Sequence, residues 1–235
     1  MNLSRMITLL AASTALSAAA LEKPAGDWVL WYSKPAKVWE EALPVGNGFL
    51  GAMVYGTPES EQIQFNEYTV WTGEPRSYAH KDAVKVLPEL RRLLWAGKQK
   101  EAEDLAMKEF MSDPLRQMAY QPCGDLWIDQ PAAKDVTNYR RWLDLDGAVA
   151  VTDFTAGGVT YRREVIASYP DRAVVVRLSA DAKGKLDVAL RMNSPHKGSV
   201  VTASGSDELV LVGGVENGAI RFESRMKAEA AGGKV

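Results

Sequence analysis

The residues best equipped for chemistry in this sequence lie between Trp39 and Trp71. This stretch combines a Gly-Asn-Gly turn around Asn47 with a segment in which Asn66, Glu67 and Trp71 supply an amide, a carboxylate and an indole. A glycosidase needs two carboxylates facing each other across the bond that it cleaves, and sugar sites favour flat rings with a polar edge. Glu67 is therefore the best candidate carboxylate in the chain.

A second carboxylate to pair with Glu67 cannot be identified from the residues alone. The other carboxylates of note, Asp125, Asp129, Asp144 and Asp146, fall in predicted strands near turns. At such positions we expect them to cap turns or to face solvent. One notable glutamate is not an acid–base pair, so the residues by themselves leave catalysis open.

Other familiar catalytic and ligand-binding motifs are absent from the sequence. It contains no G-x-S-x-G elbow, no H-E-x-x-H and no clustered Cys/His spacing. The turn at Val45–Gly48 lacks the lysine and the following helix of a phosphate loop. We interpret it as a hairpin turn whose central pair is Asn47-Gly48, the preferred pair of a type I′ turn. We therefore predict no metal and no cofactor.

Cys123 is the only cysteine, so no disulfide can form within the chain. A catalytic cysteine would need a histidine partner, and only His80 and His196 are available. Cys123 lies between Pro122 and Gly124 at the start of an apolar segment, which predicts a small buried side chain.

The elements that must position these residues are mainly strands. Twelve segments have strand-like composition and turn signals every 8–12 residues: Asp27–Tyr32, Phe49–Tyr55, Gln62–Phe65, Leu126–Asp129, Tyr139–Asp146, Val149–Phe154, Val159–Ser168, Ala173–Leu178, Leu186–Met192, Ser199–Thr202, Glu208–Val212 and Ile220–Ser224. Within Val159–Ser168, one alternate set contains Val159, Tyr161, Arg163 and Val165, which predicts two distinct faces. This pattern predicts a mainly β fold, a large antiparallel β-sandwich.

The spacing of apolar residues changes from that of a strand to that of a helix between Asp82 and Phe110, where leucines recur at helical intervals. Gly97 divides this stretch, so we predict two helices joined by a short turn, a helical-hairpin insert. Pro88 falls inside the first helix and should mark an early turn or a kink.

The N-terminus has the features of a secretory signal peptide over residues 1–20. Arg5 precedes the apolar run Met6–Ala15, and the small residues Ser17–Ala20 offer a cleavage site after Ala19 or Ala20. No cysteine follows that run, so we predict a secreted or periplasmic protein without a membrane anchor. The net charge of −2 does not indicate nucleic-acid binding, which is typical of strongly basic surfaces.

Several ordered blocks resemble glycoside hydrolase family 95, the α-L-fucosidase family. The blocks are Ala42–Gly56, Ile63–Gly73, Leu87–Gly97 with Glu101–Glu103, Tyr120–Leu126, Tyr139–Asp146, Tyr161–Glu164 and Ser168–Asp171. The likeness covers essentially the whole mature chain. Three positions depart from the family pattern: Phe49 stands where arginine is usual, Tyr68 where aspartate is common and Cys123 where leucine is typical.

The resemblance implies that residues 21–235 form the N-terminal β-sandwich (super-sandwich) domain of such a hydrolase. In that family a following (α/α)6 barrel carries the catalytic residues and hydrolysis inverts the anomeric centre. We therefore expect no catalytic residue in this chain, and expect the barrel and a fucosylated glycan as its partners. Asn47, Asn66, Glu67 and Trp71 become candidates for the substrate rim or the domain interface.

Two alternatives remain: an independent carbohydrate-binding sandwich, and a structural domain that touches no ligand. In the structural alternative, Asn66 and Glu67 brace the chain where the strand leads into the loop. The sequence ends in Ala-Gly-Gly-Lys-Val after a predicted strand. Such a turn leads into a further strand in a truncated chain, or it is a flexible natural C-terminus.

Overall fold

The computed structural model describes residues 22–235, so the predicted signal peptide at 1–20 lies outside the described residues. The described chain forms thirteen strands, two α-helices and one short 3-10 helix, Trp39–Glu41. The strands are β1 (Val29–Tyr32), β2 (Leu43–Gly46), β3 (Leu50–Val54), β4 (Ser60–Glu67), β5 (Gly124–Asp129), β6 (Thr137–Asp144), β7 (Val149–Ala156), β8 (Val159–Ser168), β9 (Ala173–Ala180), β10 (Ala189–Asn193), β11 (Val200–Ser204), β12 (Glu208–Gly214) and β13 (Arg221–Lys227). The helices are α1 (Ala83–Trp95) and α2 (Gln99–Glu109).

The strands form three antiparallel sheets. The first sheet has the order β1-β6-β7-β8-β9, the second β10-β5-β4-β3-β2, and the third β11-β12-β13. The main core lies between the first two sheets. It joins Leu43, Val45, Ala52, Val54, Ile63 and Ile128 of the second sheet to Leu143, Ala150 and Val165 of the first. This is the predicted β-sandwich with a helical insert.

The alternation in β8 is confirmed by the burial of its side chains. Val159, Tyr161, Arg163 and Val165 are buried, while their neighbours Thr160 and Arg162 are exposed. Successive side chains of a strand point to opposite faces. Arg163 lies on the same face as the buried Val159 and Val165, so its guanidinium enters the core.

β2 is the one strand that the sequence pattern did not predict, since it contains Pro44 and Gly46. β2 lies at the edge of the second sheet. Asn47 donates to the Leu50 carbonyl at 3.0 Å, so by antiparallel alternation Pro44 sits in a non-hydrogen-bonded pair with Met53. Its ring nitrogen therefore points to the open edge, where a missing N–H costs no ladder bond.

The turn between β2 and β3 differs from the predicted type I′ turn. Asn47 and Leu50 close the hairpin, and the central pair is Gly48-Phe49. Only Gly48 of these two has a positive φ, +85°, which is the pattern of a type II′ turn with glycine at the first central position. The predicted Asn47-Gly48 centre was wrong by one residue.

The helical hairpin is confirmed, with Gly97 at φ +71° in the turn between α1 and α2. α1 runs continuously across Pro88, its sixth residue. Proline has no backbone N–H, so the carbonyl of Val84, four residues earlier, lacks its helical hydrogen bond. Val84 lies in the exposed first turn, where solvent can replace the missing bond. No helix within residues 22–235 is long and apolar enough to cross a membrane.

Candidate functional site

The four predicted site residues gather at one end of the second sheet. β3 pairs with β4 so that Leu50 lies opposite Glu67 and Gly51 opposite Asn66. This register sets the turn that carries Asn47 beside the end of β4, and Trp71 follows four residues beyond Glu67. The hairpin register thus explains why residues twenty positions apart in sequence lie at the same end of the sheet.

Asn47 is buried, and its side chain is fully used inside the domain. Its Oδ1 accepts the backbone N–H groups of Phe49 and Leu50 at 3.0 and 2.7 Å. Its Nδ2 donates to the carbonyl oxygen of Ser168 at the end of β8, at 2.6 Å. The residue therefore fastens the β2–β3 turn to the first sheet, and both polar atoms of its side chain are hydrogen-bonded within the domain.

Asn66 and Glu67 are organised by Tyr120, which belongs to a segment more than fifty residues away. Asn66 Nδ2 donates to the Tyr120 hydroxyl, and that hydroxyl donates to the Glu67 carbonyl at 3.2 Å. The Glu67 carboxylate accepts the N–H of Thr69 at 2.9 Å and the Thr69 hydroxyl. These bonds brace the turn at the end of β4, so a structural role accounts for both side chains.

Trp71 stands in a row of rings that we name the aromatic strip: Tyr169, Phe49, Tyr68, Trp71 and Tyr120. Phe49 is half-buried and the other four rings are exposed. The Phe49 ring lies 5.6 Å from Tyr169 and 5.7 Å from Tyr68 between centroids. The Trp71 indole donates to the Tyr68 carbonyl at 2.8 Å and its ring lies 5.0 Å from Tyr120. Of these rings only Trp71 was a predicted site residue. Phe49, Tyr169 and Tyr120 join the strip through contacts between residues distant in sequence.

Two of the positions that depart from the family pattern are neighbours in this strip. Phe49 and Tyr68, which stand where arginine and aspartate are usual, make an edge-to-face pair. Arg172 lies over the Phe49 ring at 4.3 Å. Phe49 and Tyr68 thus form an aromatic pair at the two positions where the resemblance leads to the expectation of arginine and aspartate.

Beside the strip is an open depression of about 490 Å³. It is lined by Trp71, Pro75, Arg76, Tyr78, Ser112, Gln117 and Met118. Arg76 lies over the Tyr78 ring at 5.0 Å and has no carboxylate partner within residues 22–235. Rings with a guanidinium and an amide can stack on and hydrogen-bond to a polar ligand such as a sugar.

Three of the other four carboxylates considered in the sequence make structural contacts, while Asp146 is exposed as predicted. Asp144 caps the turn at Asp146 and Gly147, as predicted. Asp129 is bonded to Ser60 and to Arg191, and Arg191 holds its pKa below the usual range. The expectation for Asp125 was wrong, since Asp125 is buried and accepts Gln62 Nε2 at 2.9 Å.

Among residues 22–235, no group of three or more His, Cys, Asp or Glu side chains is placed to hold a metal ion. Cys123 is buried as predicted, and burial raises the pKa of its thiol to about 11. A thiol in this environment is a poor nucleophile at neutral pH.

The most heavily buried ionic group was not predicted. Glu61 of β4 and Arg163 of β8 form an ion pair across the sandwich at 3.2 Å. Arg163 also donates to the carbonyls of Thr57 and Pro58 and to Gln130 Oε1. Burial raises the pKa of Glu61, and Arg163 opposes that rise. The sequence pattern only grouped Arg163 with Val159 and Val165 on one face of β8.

Residues 30–235 match the family model described as "Glycosyl hydrolase family 65, N-terminal domain". The chain is similar to "Alpha-L-fucosidase 2" of Arabidopsis thaliana, at 35% identity over 168 residues, which cover 70% of this chain and 20% of that protein. "Probable alpha-fucosidase A" of Aspergillus niger is 32% identical over 180 residues, which cover 72% of this chain and 22% of that protein.

The corresponding protein of Aspergillus oryzae is 28% identical over 163 residues, covering 65% of this chain and 22% of the relative. The matched part of this chain thus spans about a fifth of the length of each of these relatives. The family model covers most of the chain, and the likeness to α-fucosidases agrees with the resemblance seen in the sequence blocks. The chain therefore belongs to the glycosyl hydrolase family 65 N-terminal domain family, as an N-terminal domain of the fucosidase type.

Proposed function

We propose that this chain is the non-catalytic N-terminal domain of a secreted α-L-fucosidase-type hydrolase of glycoside hydrolase family 95. The parent enzyme hydrolyses terminal α-L-fucosyl linkages with inversion, and its catalytic groups lie in a helical (α/α)6 barrel outside these residues. The observation that carries the proposal is the match of residues 30–235 to a hydrolase N-terminal domain. The α-fucosidase relatives, of which the matched part is about a fifth, support it.

The state of the candidate carboxylate supports a non-catalytic role. Inverting hydrolysis needs an acid and a base about 6.5–9.5 Å apart with room for a water between them. Glu67 instead accepts two hydrogen bonds from Thr69 at the end of its own strand. A carboxylate committed to a local turn is a poor general base.

In this proposal the aromatic strip faces the barrel or the rim of its active site. Trp71 and Tyr120 form one end of the strip, and Asn66 and Glu67 hold that end in place through the Tyr120 hydroxyl. Asn47 supports the other end by fixing the turn beneath Phe49. Exposed rings on a rigid sheet end are typical of surfaces that bind a partner or a sugar.

Hydrolysis of a nitrophenyl α-L-fucoside tests the proposal. The complete polypeptide encoded by the gene should turn the substrate over, whereas this 235-residue chain alone should not. Glu67→Gln in the complete polypeptide should leave kcat within about threefold, because the residue braces a turn. Turnover by this chain alone that Glu67→Gln abolishes would make Glu67 catalytic and refute the proposal.

A carbohydrate-binding module is the second candidate, favoured by the open depression beside Trp71. Its lining offers rings for stacking, with Arg76 and Gln117 for hydrogen bonds. Calorimetric titration of this chain with L-fucose, L-galactose and fucosylated oligosaccharides tests it, with Trp71→Ala as the matched variant. Heat that Trp71→Ala removes would support binding, and no heat at millimolar ligand would exclude it.

Export is part of the proposal and has its own test. Cleavage at the predicted site after Ala19 or Ala20 gives a mature chain that begins near Leu21. Intact-mass measurement of the protein recovered outside the cytoplasm should show loss of those residues. A product that retains Met1 in the cytoplasm would contradict export.

A further inference from the structure

Helix α1 has two apolar faces, and only one of them is used inside the described chain. Leu90 and Leu93 are buried and pack with Ala102 of α2, with Leu105 and Phe110 beside them. This small core holds the hairpin together, and the hairpin packs chiefly on itself. The packing of α1 on α2 therefore buries the face of α1 that carries Leu90 and Leu93.

The second face carries Val84, Pro88, Arg91 and Trp95, which recur at intervals of four, three and four residues. At 3.6 residues per turn these positions lie on one side of the helix, and Leu94 borders them. Val84 is 80% exposed, Leu94 57% and Trp95 83%. We call this set the α1 face. It runs the length of a thirteen-residue helix, about 20 Å.

The charges of the hairpin show that the α1 face is not an ordinary solvent face. The hairpin cations other than Arg91 pair with local carboxylates: Lys85 with Asp82, Arg92 with Glu89, Lys98 with Glu101, Lys100 with Asp104 and Lys108 with Glu109. Arg91 has no such partner among residues 22–235. It stands alone in the middle of the exposed apolar side chains.

We propose that the α1 face docks against a part of the parent hydrolase chain that lies outside residues 22–235. The inference rests on the proposed function, in that it requires a longer parent polypeptide. The partner surface is an apolar groove that receives Trp95 and Val84 and carries a carboxylate opposite Arg91. An exposed tryptophan with apolar neighbours and one unpaired arginine has the composition of an interface hot spot.

Two observations favour the parent chain over a second copy of this domain. The matched part of this chain is about a fifth of each relative, so most of a protein of that kind lies elsewhere. In a symmetric pair of α1 helices, Arg91 near the middle of the face would meet its own copy, and like charges in contact oppose association.

Binding between this chain and the separately produced remainder of the gene product tests the inference. Val84→Ser with Trp95→Ser should weaken association at least tenfold, and Arg91→Glu should weaken it severalfold and remove part of its salt dependence. Lys100→Glu on α2, a charge reversal on the opposite side of the hairpin, is the matched control and should change affinity less than twofold. The thermal midpoint of this chain alone should be unaffected by Val84→Ser and Trp95→Ser, because both side chains are exposed.

Hydrogen exchange provides a second measurement that does not require separate pieces. Amides of α1 should exchange at least tenfold more slowly in the complete polypeptide than in this chain alone. The inference would be overturned by any one of three results. These are equal exchange of the α1 amides in the complete polypeptide and in this chain alone, equal affinity of the α1-face variants and the wild type, or self-association of this chain that Trp95→Ser abolishes. A remainder that binds this chain but hydrolyses no fucoside would refute the proposed function and leave the docking inference standing.

Discussion

Replacing Arg163 with methionine should destabilise the sandwich by about 4 kcal/mol. Arg163 is 3% exposed in its side chain and Glu61 is 1% exposed, so solvent cannot take over the lost contacts. Methionine removes the donors to the carbonyls of Thr57 and Pro58, to Gln130 Oε1 and to Glu61. An unsatisfied buried acceptor costs about 1–3 kcal/mol, and breaking a buried ion pair from one side costs about 3–5 kcal/mol.

The penalty should depend on pH with a defined sign. Burial raises the pKa of Glu61, and Arg163 opposes that rise, so removing Arg163 raises this pKa further. A carboxyl group whose pKa is higher in the folded than in the unfolded state contributes stability below its unfolded pKa, near 4.3. That contribution is lost as pH rises towards the folded pKa. The destabilisation by Arg163→Met should therefore grow from about pH 4.5 towards neutrality, by at most about 1.4 kcal/mol per pH unit.

Urea unfolding followed by circular dichroism at several pH values measures the effect. The matched control is Arg177→Met, which breaks the exposed pair with Glu164 on the outer side of the same sheet and should cost less than about 0.5 kcal/mol. Combining Arg163→Met with Glu61→Leu should recover part of the stability, because no uncompensated charge then remains. The reasoning is refuted if Arg163→Met lies within about 1 kcal/mol of wild type, or if its penalty is the same at pH 5 and pH 8.

Three further predictions concern the strip and its support. Asn47→Ala should cost about 2 kcal/mol, since it removes three buried hydrogen bonds, whereas Asn47→Asp keeps the two accepted bonds and should cost less; equal costs in urea unfolding would contradict this. Phe49→Arg and Tyr68→Asp should each lower the thermal midpoint. The loss of unfolding free energy in the double variant should be smaller than the sum of the two single losses by at least about 0.5 kcal/mol; additive losses would show that the pair is not coupled. Cys123 should react with a thiol reagent at pH 8 only when the protein unfolds, because it is buried and its pKa is about 11; rapid labelling of the folded protein would argue against this.

The sequence predicted those parts of the fold that depend on local periodicity. The limits of β8, the division of the hairpin at Gly97 and the placement of Arg163 on one strand face with Val159 follow from strand and helix periods that neighbouring residues establish. β2 was missed because Pro44 is unfavourable in a strand unless its nitrogen faces an open edge. Which edge is open depends on the order of strands in the sheet, and no local pattern contains that order.

The candidate site, too, was predictable from the sequence only where local residues decide. Local chemistry was sufficient to single out Asn47, Asn66, Glu67 and Trp71, and resemblance was sufficient to name the family. What these side chains do was decided by partners distant in sequence: Ser168 for Asn47 and Tyr120 for Asn66. The sequence by itself determined which faces are apolar, since that is a property of alternation. Only the tertiary structure decided which polar groups are already satisfied and which remain free for a partner, because hydrogen bonds across a sandwich join residues that chain order does not bring together.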